Sequence, residues 1–120
     1  NTHVLQKTIY LYTIGQPRFV KHAIAFTLLN RYKANRPEFG GHSIRDICLQ
    51  FSENAQPEEF YIPEHKQIEM NKWLTKIWND KSMYDPSKGA LYFRFPDENV
   101  VWIEGMVKTT EINKIEFYKD

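Results

Sequence analysis

The chain has 120 residues, of which 42% are hydrophobic and 15% aromatic, and it carries a net charge of +1. This length is typical of one domain, and the aromatic content excludes a chain that is disordered throughout. The single cysteine, Cys48, excludes an intrachain disulfide and favours the cytoplasm or another reducing compartment.

The hydropathy of the chain and its first residue narrow the class of protein further. The longest apolar run, Ala23–Phe26, is far shorter than the roughly 20 residues that cross a bilayer, so we expect no membrane insertion. The first residue is Asn rather than Met. We therefore expect one domain, residues 1–120, that was processed or cut from a longer chain.

The charges are unevenly distributed along the chain. Residues 1–45 contain seven Lys or Arg residues against one acid, Glu38, whereas residues 46–86 contain four Lys residues against eight acids. A basic block in a folded domain favours an anionic partner such as nucleic acid. The alternative is that these charges are spread over the folded surface and form no patch.

The first two elements are predicted to be a strand and a helix. The span His3–Ile14 is rich in β-branched and aromatic residues, with Leu5, Ile9 and Leu11 on one face, which indicates a strand. The span Pro17–Ala34 predicts a helix whose apolar residues cover most of its circumference. We expect this helix to be packed deeply against the sheet.

The middle of the chain is predicted to add a strand and a second helix. Ser43–Phe51 alternates polar and apolar residues, which indicates a strand, with a short helix as the alternative. Pro63–Lys81 predicts a helix, because its apolar residues recur at helical spacing and Pro63 suits a first turn.

The last third predicts antiparallel strands. Ala90–Phe95 and Asn99–Glu104 flank a compact polar loop and are expected to form a hairpin, and Glu111–Lys119 is expected to be a final strand. The predicted order is β-α-β-α-β-β-β. This is an α+β fold with two helices packed on a largely antiparallel sheet.

No metal or cofactor is predicted from the sequence. The histidines are scattered and no Cys pair or nucleotide-binding glycine motif occurs. The Gly40-Gly41 pair precedes a predicted strand, whereas a phosphate-binding loop needs a following helix.

Three residues are candidates for catalysis. His42 and Asp46 are acid or base candidates, and Arg94 could stabilise charge on a phosphoryl group, as a small metal-independent endoribonuclease of the toxin type requires. Cys48 with Ser43 nearby is a candidate nucleophile, but a small buried hydrophobe is the expectation for Cys48.

The sequence favours a non-catalytic binding or assembly domain, with the endoribonuclease as the alternative, because no catalytic motif stands out from ordinary structural roles. The expected partner is another protein or a second copy of the chain, with nucleic acid as an alternative. The predicted contact residues are Arg18, Lys21, Arg31, Lys33, Arg36, Arg45, Tyr92 and Trp102.

Overall fold

The structure, a computed structural model, describes residues 2–51, 61–96, 98 and 103–120. It contains four α-helices, a short 3₁₀ helix and three strands in these residues. In chain order they are α1 (Thr2–Thr13), α2 (Arg18–Ala34), the 3₁₀ helix (Pro37–Phe39), α3 (Ile44–Phe51), α4 (Glu64–Asn79), β1 (Tyr92–Arg94), β2 (Val107–Ile112) and β3 (Ile115–Lys119).

The α+β class is confirmed, with the helices packed on an antiparallel sheet. The strand order is β1-β3-β2, and both pairs are antiparallel. The predicted order of elements is wrong in two places, because two predicted strands are helices, so the described residues contain four α-helices where two were predicted. None of the described helices is both long and apolar enough to cross a bilayer.

The first correction concerns α1, which occupies most of the predicted strand His3–Ile14. Leu5, Ile9 and Thr13 are buried and recur at a spacing of four, so they share one helical face. The hydroxyl of Thr13 donates a 2.6 Å hydrogen bond to the carbonyl of Ile9 one turn earlier. The β-branched content was misleading because strand propensity depends on context, and here one helical face is buried in the core.

The second correction concerns α3, for which the short helix was the alternative. The Ser43 hydroxyl accepts a 3.2 Å hydrogen bond from the Asp46 backbone N–H, and the Ser43 carbonyl accepts one from Ile47. These bonds satisfy N–H groups that the first turn of a helix otherwise leaves without a partner. Ser-x-x-Asp is therefore a helix-start signal that the alternating pattern obscured.

The C-terminal third is antiparallel as predicted, and β3 is the central strand of the described sheet. β1 pairs with β3. The predicted partner of Ala90–Phe95 lies partly outside the described residues, and Ile103–Gly105 form a turn. The predicted strand Glu111–Lys119 is instead the end of one strand and the whole of the next. Asn113 and Lys114 both adopt positive φ, 51° and 69°, which is the geometry of the tight turn that joins twisted hairpin strands.

Two hydrophobic clusters share helix α2. One cluster joins α2 to α1, α3 and α4, and includes Ile9, Leu29 and Trp73. The other joins α2 to the sheet, and includes Ile24 and Phe117. Helix α2 therefore has buried residues on most sides, as its apolar circumference indicated.

Two consecutive side chains near the end of α2 hold the segment that leads into β1. The Asn30 amide donates hydrogen bonds of 3.0 Å to the Asp85 carboxylate and of 3.0 Å to the Ala90 carbonyl. The Arg31 guanidinium donates a 2.7 Å hydrogen bond to the Leu91 carbonyl. These bonds attach the sheet to the helices at one point of α2.

Asp85 is the acceptor at the centre of this attachment. We call the attachment the α2 joint; it is formed by Asn30, Arg31, Asp85, Ala90 and Leu91. Its carboxylate also accepts hydrogen bonds from the backbone and hydroxyl of Ser87, at 2.8 Å and 2.6 Å, and from the Gly89 backbone at 3.0 Å. Ser87 is fully buried. Removing this acceptor would leave several donors unsatisfied.

We expect Asp85→Ala to lower the free energy of unfolding by about 2–3 kcal/mol, because the buried Ser87 and the half-buried Asn30 lose a charged acceptor. Asp80→Ala is the matched control: Asp80 makes the same local contacts to Ser82, but it is exposed and none of its described hydrogen bonds reaches α2. We expect the control to cost less than about 1 kcal/mol. Urea unfolding measures both, and equal losses would contradict the role given to the α2 joint.

We expect His22 on α2 to make the free energy of unfolding depend on pH. Its Nε2 atom is buried with no hydrogen-bond partner among the described residues, and its ring lies 4.7 Å from that of Trp73. Burial, and to a smaller degree the charge of Arg18, lowers the pKa of His22 from its ordinary value of 6.5. The folded state therefore binds this proton less readily than the unfolded state does.

The direction of this pH dependence follows from the linkage between proton binding and unfolding. The contribution of His22 is fully present above pH 6.5 and is lost as the pH falls through the lowered pKa of the folded state. We expect His22→Phe, which keeps a ring against Trp73, to lose stability less steeply over this range. Unfolding free energies of the two proteins at a series of pH values test this, and parallel curves would contradict it.

Candidate active site

An open groove of about 700 Å³ lies where the C-terminal end of α2 meets α3. We call it the Asp46 groove. Its lining residues are Asn35, Pro37, Gly40, Gly41, Asp46 and Gln50. One carboxylate, two amides and the backbone of two glycines thus face the same space.

The chain between α2 and α3 builds this groove through unusual backbone angles. Asn35 ends α2 in the left-handed conformation, with φ 51° and ψ 46°, and its N–H donates to the Arg31 carbonyl. Gly40 has φ 100°, and a Cβ atom there would lie 2.8 Å from the carbonyl carbon of Asp46 and from the nitrogen of Ile47. Gly40 is therefore required for the loop to lie directly against the first turn of α3.

The Asp46 carboxylate has no hydrogen bond or ion pair with any described residue. In contrast, most of the described acidic side chains are acceptors in hydrogen bonds or ion pairs: Glu69, Asp80, Asp85, Glu98, Glu111, Glu116 and Asp120. Asp46 is exposed and lines a groove, so its oxygens remain available to water or a bound molecule.

His42 lies near Asp46 in the chain but makes a different contact. Its ring stacks on that of Tyr32 with 4.4 Å between centroids and 22° between planes. Tyr32 also packs against Trp78, with 5.4 Å between centroids.

Arg94, the third predicted catalytic residue, is held on the sheet. Its guanidinium donates to the Glu116 carboxylate at 2.6 Å and to the Glu98 carbonyl at 3.3 Å. Together with the Tyr118 hydroxyl, it lowers the pKa of Glu116 to about 2. No described contact joins Arg94 to His42 or Asp46, so the structure does not show the three predicted catalytic residues gathered in one site.

Three of the predicted contact residues have structural roles. Arg18 pairs with Glu69 at 2.9 Å, and Arg36 pairs with Asp120 at 2.5 Å. Arg31 belongs to the α2 joint, where burial lowers its pKa to about 10.

The aromatic and remaining basic candidates differ in accessibility. Tyr92 is half-buried with the Arg31 guanidinium 5.2 Å from its ring centre, whereas Lys33 and Arg45 are exposed. Lys21 is half-buried, and Trp102 lies outside the described residues. Contact of these residues with a partner stays a prediction.

The structure also bears on the reactivity of Cys48 and on metal binding. Cys48 is buried, and burial raises the pKa of its thiol to about 11, so it carries little thiolate at neutral pH. In the described part of the chain, no three His, Cys, Asp or Glu side chains are grouped so that they could hold a metal ion. The reducing compartment inferred from this lone cysteine stays a prediction.

A family model described as Cell Wall Hydrolase matches residues 15–118. The match runs from the turn after α1 to the end of the sheet and so covers most of the chain. The chain belongs to the cell wall hydrolase family. No curated protein and no solved structure matches it.

Membership of the cell wall hydrolase family corrects both functional predictions. The non-catalytic binding or assembly domain is wrong, and so is the endoribonuclease, because the matched family is one of hydrolases that act on the cell wall. The first error came from treating the lack of a recognisable catalytic motif as evidence against catalysis. Side chains that meet only in the folded chain form no local sequence motif, so the absence of a motif was a poor guide.

Gly40 offers a test of how the groove is built. We expect Gly40→Ala to lower the free energy of unfolding by roughly 3 kcal/mol or more, because its Cβ atom would collide with the α3 backbone at a positive φ. Gly41→Ala is the matched control, because φ is also positive but the nearest atom is 3.6 Å away, and should cost about 1–2 kcal/mol. Thermal and urea unfolding compare them; equal costs would show that Gly40 has no special role.

Proposed function

We propose that this protein hydrolyses the glycan of a cell wall and that Asp46 is the carboxyl group that transfers the proton. The family match supports hydrolysis and the kind of substrate. The observation that carries the choice of Asp46 is its exposed carboxylate, which lines the groove and is not engaged by any described side chain.

The groups around the groove favour a glycosidic bond over an amide bond. Amide hydrolysis without a metal uses an activated nucleophile, but the Cys48 thiol is buried and protonated. The Ser43 hydroxyl accepts a hydrogen bond from the α3 backbone, and no described contact joins it to a base. Glycosidic bonds, in contrast, are cleaved with Asp or Glu carboxyl groups as acid and base.

The proposed step uses the Asp46 carboxylate as a general base. The carboxylate takes a proton from a water molecule as the water oxygen bonds to the anomeric carbon and the bond from this carbon to the bridging oxygen breaks. The bridging oxygen takes a proton from solvent, and the Asp46 carboxyl group then returns its proton to solvent. One water molecule is consumed, and both new ends carry hydroxyl groups.

The other lining residues suit a polar polymer chain. The amides of Asn35 and Gln50 supply both donors and acceptors for sugar hydroxyl or acetamido groups. Gly40 and Gly41 have no side chains, so a chain can approach the backbone closely. An open groove also accommodates a polymer that continues beyond the bond being cleaved.

The test is hydrolysis of purified bacterial cell wall material, with new reducing ends and new amino groups measured separately. We expect reducing ends from the wild-type protein and a loss of about 10²- to 10⁴-fold in rate for Asp46→Asn. This variant should fold normally, because residue 46 is exposed and the hydrogen bond to Ser43 comes from its backbone.

Glu38→Gln is the matched control, since Glu38 is a nearby exposed acid that does not line the groove. We expect it to keep the wild-type rate. Full activity of Asp46→Asn would exclude Asp46 as the group that transfers the proton, and new amino groups without reducing ends would exclude a glycosidic bond.

A further inference from the structure

A second, smaller groove of about 270 Å³ lies between α1, α2, α3 and α4, and Leu5 is its lining residue from α1. We call it the aromatic groove. Tyr32 and Trp78 provide rings, Ile44 and Leu74 provide aliphatic surface, and Thr75 and Asn79 provide polar groups. It is therefore apolar in part and carries hydrogen-bonding groups as well.

The two grooves are built by neighbouring residues of the same segment. Gly41 lines the Asp46 groove, and the next residue, His42, stacks on Tyr32 of the aromatic groove. In α3, Ile44 lines the aromatic groove, whereas Asp46, two residues later, lines the other. The grooves thus lie on different sides of the first turn of α3, since residues two apart on a helix do not face the same way.

We propose that the aromatic groove is a sugar-binding subsite for the glycan chain that reaches Asp46. This inference rests on the proposed function. A pyranose ring has faces of C–H groups and a rim of hydroxyls. An aromatic surface beside polar groups is therefore complementary to it. Half-buried Trp78 and Tyr32 provide such a surface, because their rings are apolar and carry a polar N–H or O–H.

The polar groups of the aromatic groove can serve the sugar hydroxyls. The Thr75 hydroxyl donates to the Asn71 carbonyl at 2.7 Å, so its oxygen can still accept a hydrogen bond. Asn79, the last residue of α4, is exposed and has a side-chain donor and acceptor. The subsite would therefore bind a sugar by ring contact and orient it by hydrogen bonds.

The size of the aromatic groove argues for one sugar ring as its occupant. Its volume of about 270 Å³ is just below the range of roughly 300–1,000 Å³ for small-molecule pockets. A stable protein partner would cover roughly 800 Å² on each side, with 20–30 residues.

The experiment measures kcat and KM on soluble glycan chains, and Kd for a chito-oligosaccharide as the probe. We expect Trp78→Ala to raise both KM and Kd about three- to tenfold while kcat changes little, because a ring contact distant from the reacting bond is lost. Trp78→Phe should restore most of the affinity. Tyr84→Ala is the matched control, since this ring is 71% exposed and belongs to neither groove, and should leave KM and Kd unchanged.

Asn79→Ala tests the same subsite at an exposed position, which keeps the proposal testable if Trp78→Ala fails to fold. We expect it to weaken binding about two- to fivefold. The subsite would be overturned, and the proposed function left standing, if the folded variants hydrolyse the glycan with unchanged KM and Kd. Asn79→Ala alone decides this if Trp78→Ala does not fold. Binding of the probe that depends on Trp78, without hydrolysis by the wild-type protein, would support the subsite and overturn the proposed function. A wild-type protein that neither binds nor cleaves would overturn both.

Discussion

The α2 joint is the constraint on which the arrangement of the sheet and the groove depends. Asn30 and Arg31 bond to the carbonyls of Ala90 and Leu91, just before β1 begins. The Arg31 guanidinium also lies 4.4 Å from the ring centre of Phe39, in the 3₁₀ helix before the groove. A half-buried cation between these elements needs its partners, so moving either element would leave a desolvated charge poorly compensated.

The Asp46 groove follows from this arrangement, because the loop that lines it starts where α2 ends. The left-handed Asn35 turns the chain away from α2, and Gly40 lets it lie against α3 without a collision. Ser43 then caps α3 with its own hydroxyl. The start of α3 is thereby satisfied within its own first turn by the Ser43 side chain, so the Asp46 carboxylate is not needed for this cap.

Much of the helical framework was readable from the sequence, because long apolar patterns at helical spacing are a strong signal. Pro17–Ala34 and Pro63–Lys81 were predicted within two residues of the observed α2 and α4. The short elements were less readable, because α1 and α3 contain residues that suit strands and are helical through their burial and capping. Asp46 was predicted as an acid or base of an endoribonuclease, and its place in a groove depends on tertiary structure, which no local pattern contains.

The most direct test of the account is hydrolysis of cell wall glycan in water labelled with ¹⁸O, followed by mass spectrometry of the products. If Asp46 promotes attack of water on the anomeric carbon, the label will appear in the new reducing ends made by the wild-type protein, and Asp46→Asn will make few of them. Label in new carboxyl groups would contradict the account. So would equal amounts of labelled reducing ends from the wild-type protein and from Asp46→Asn.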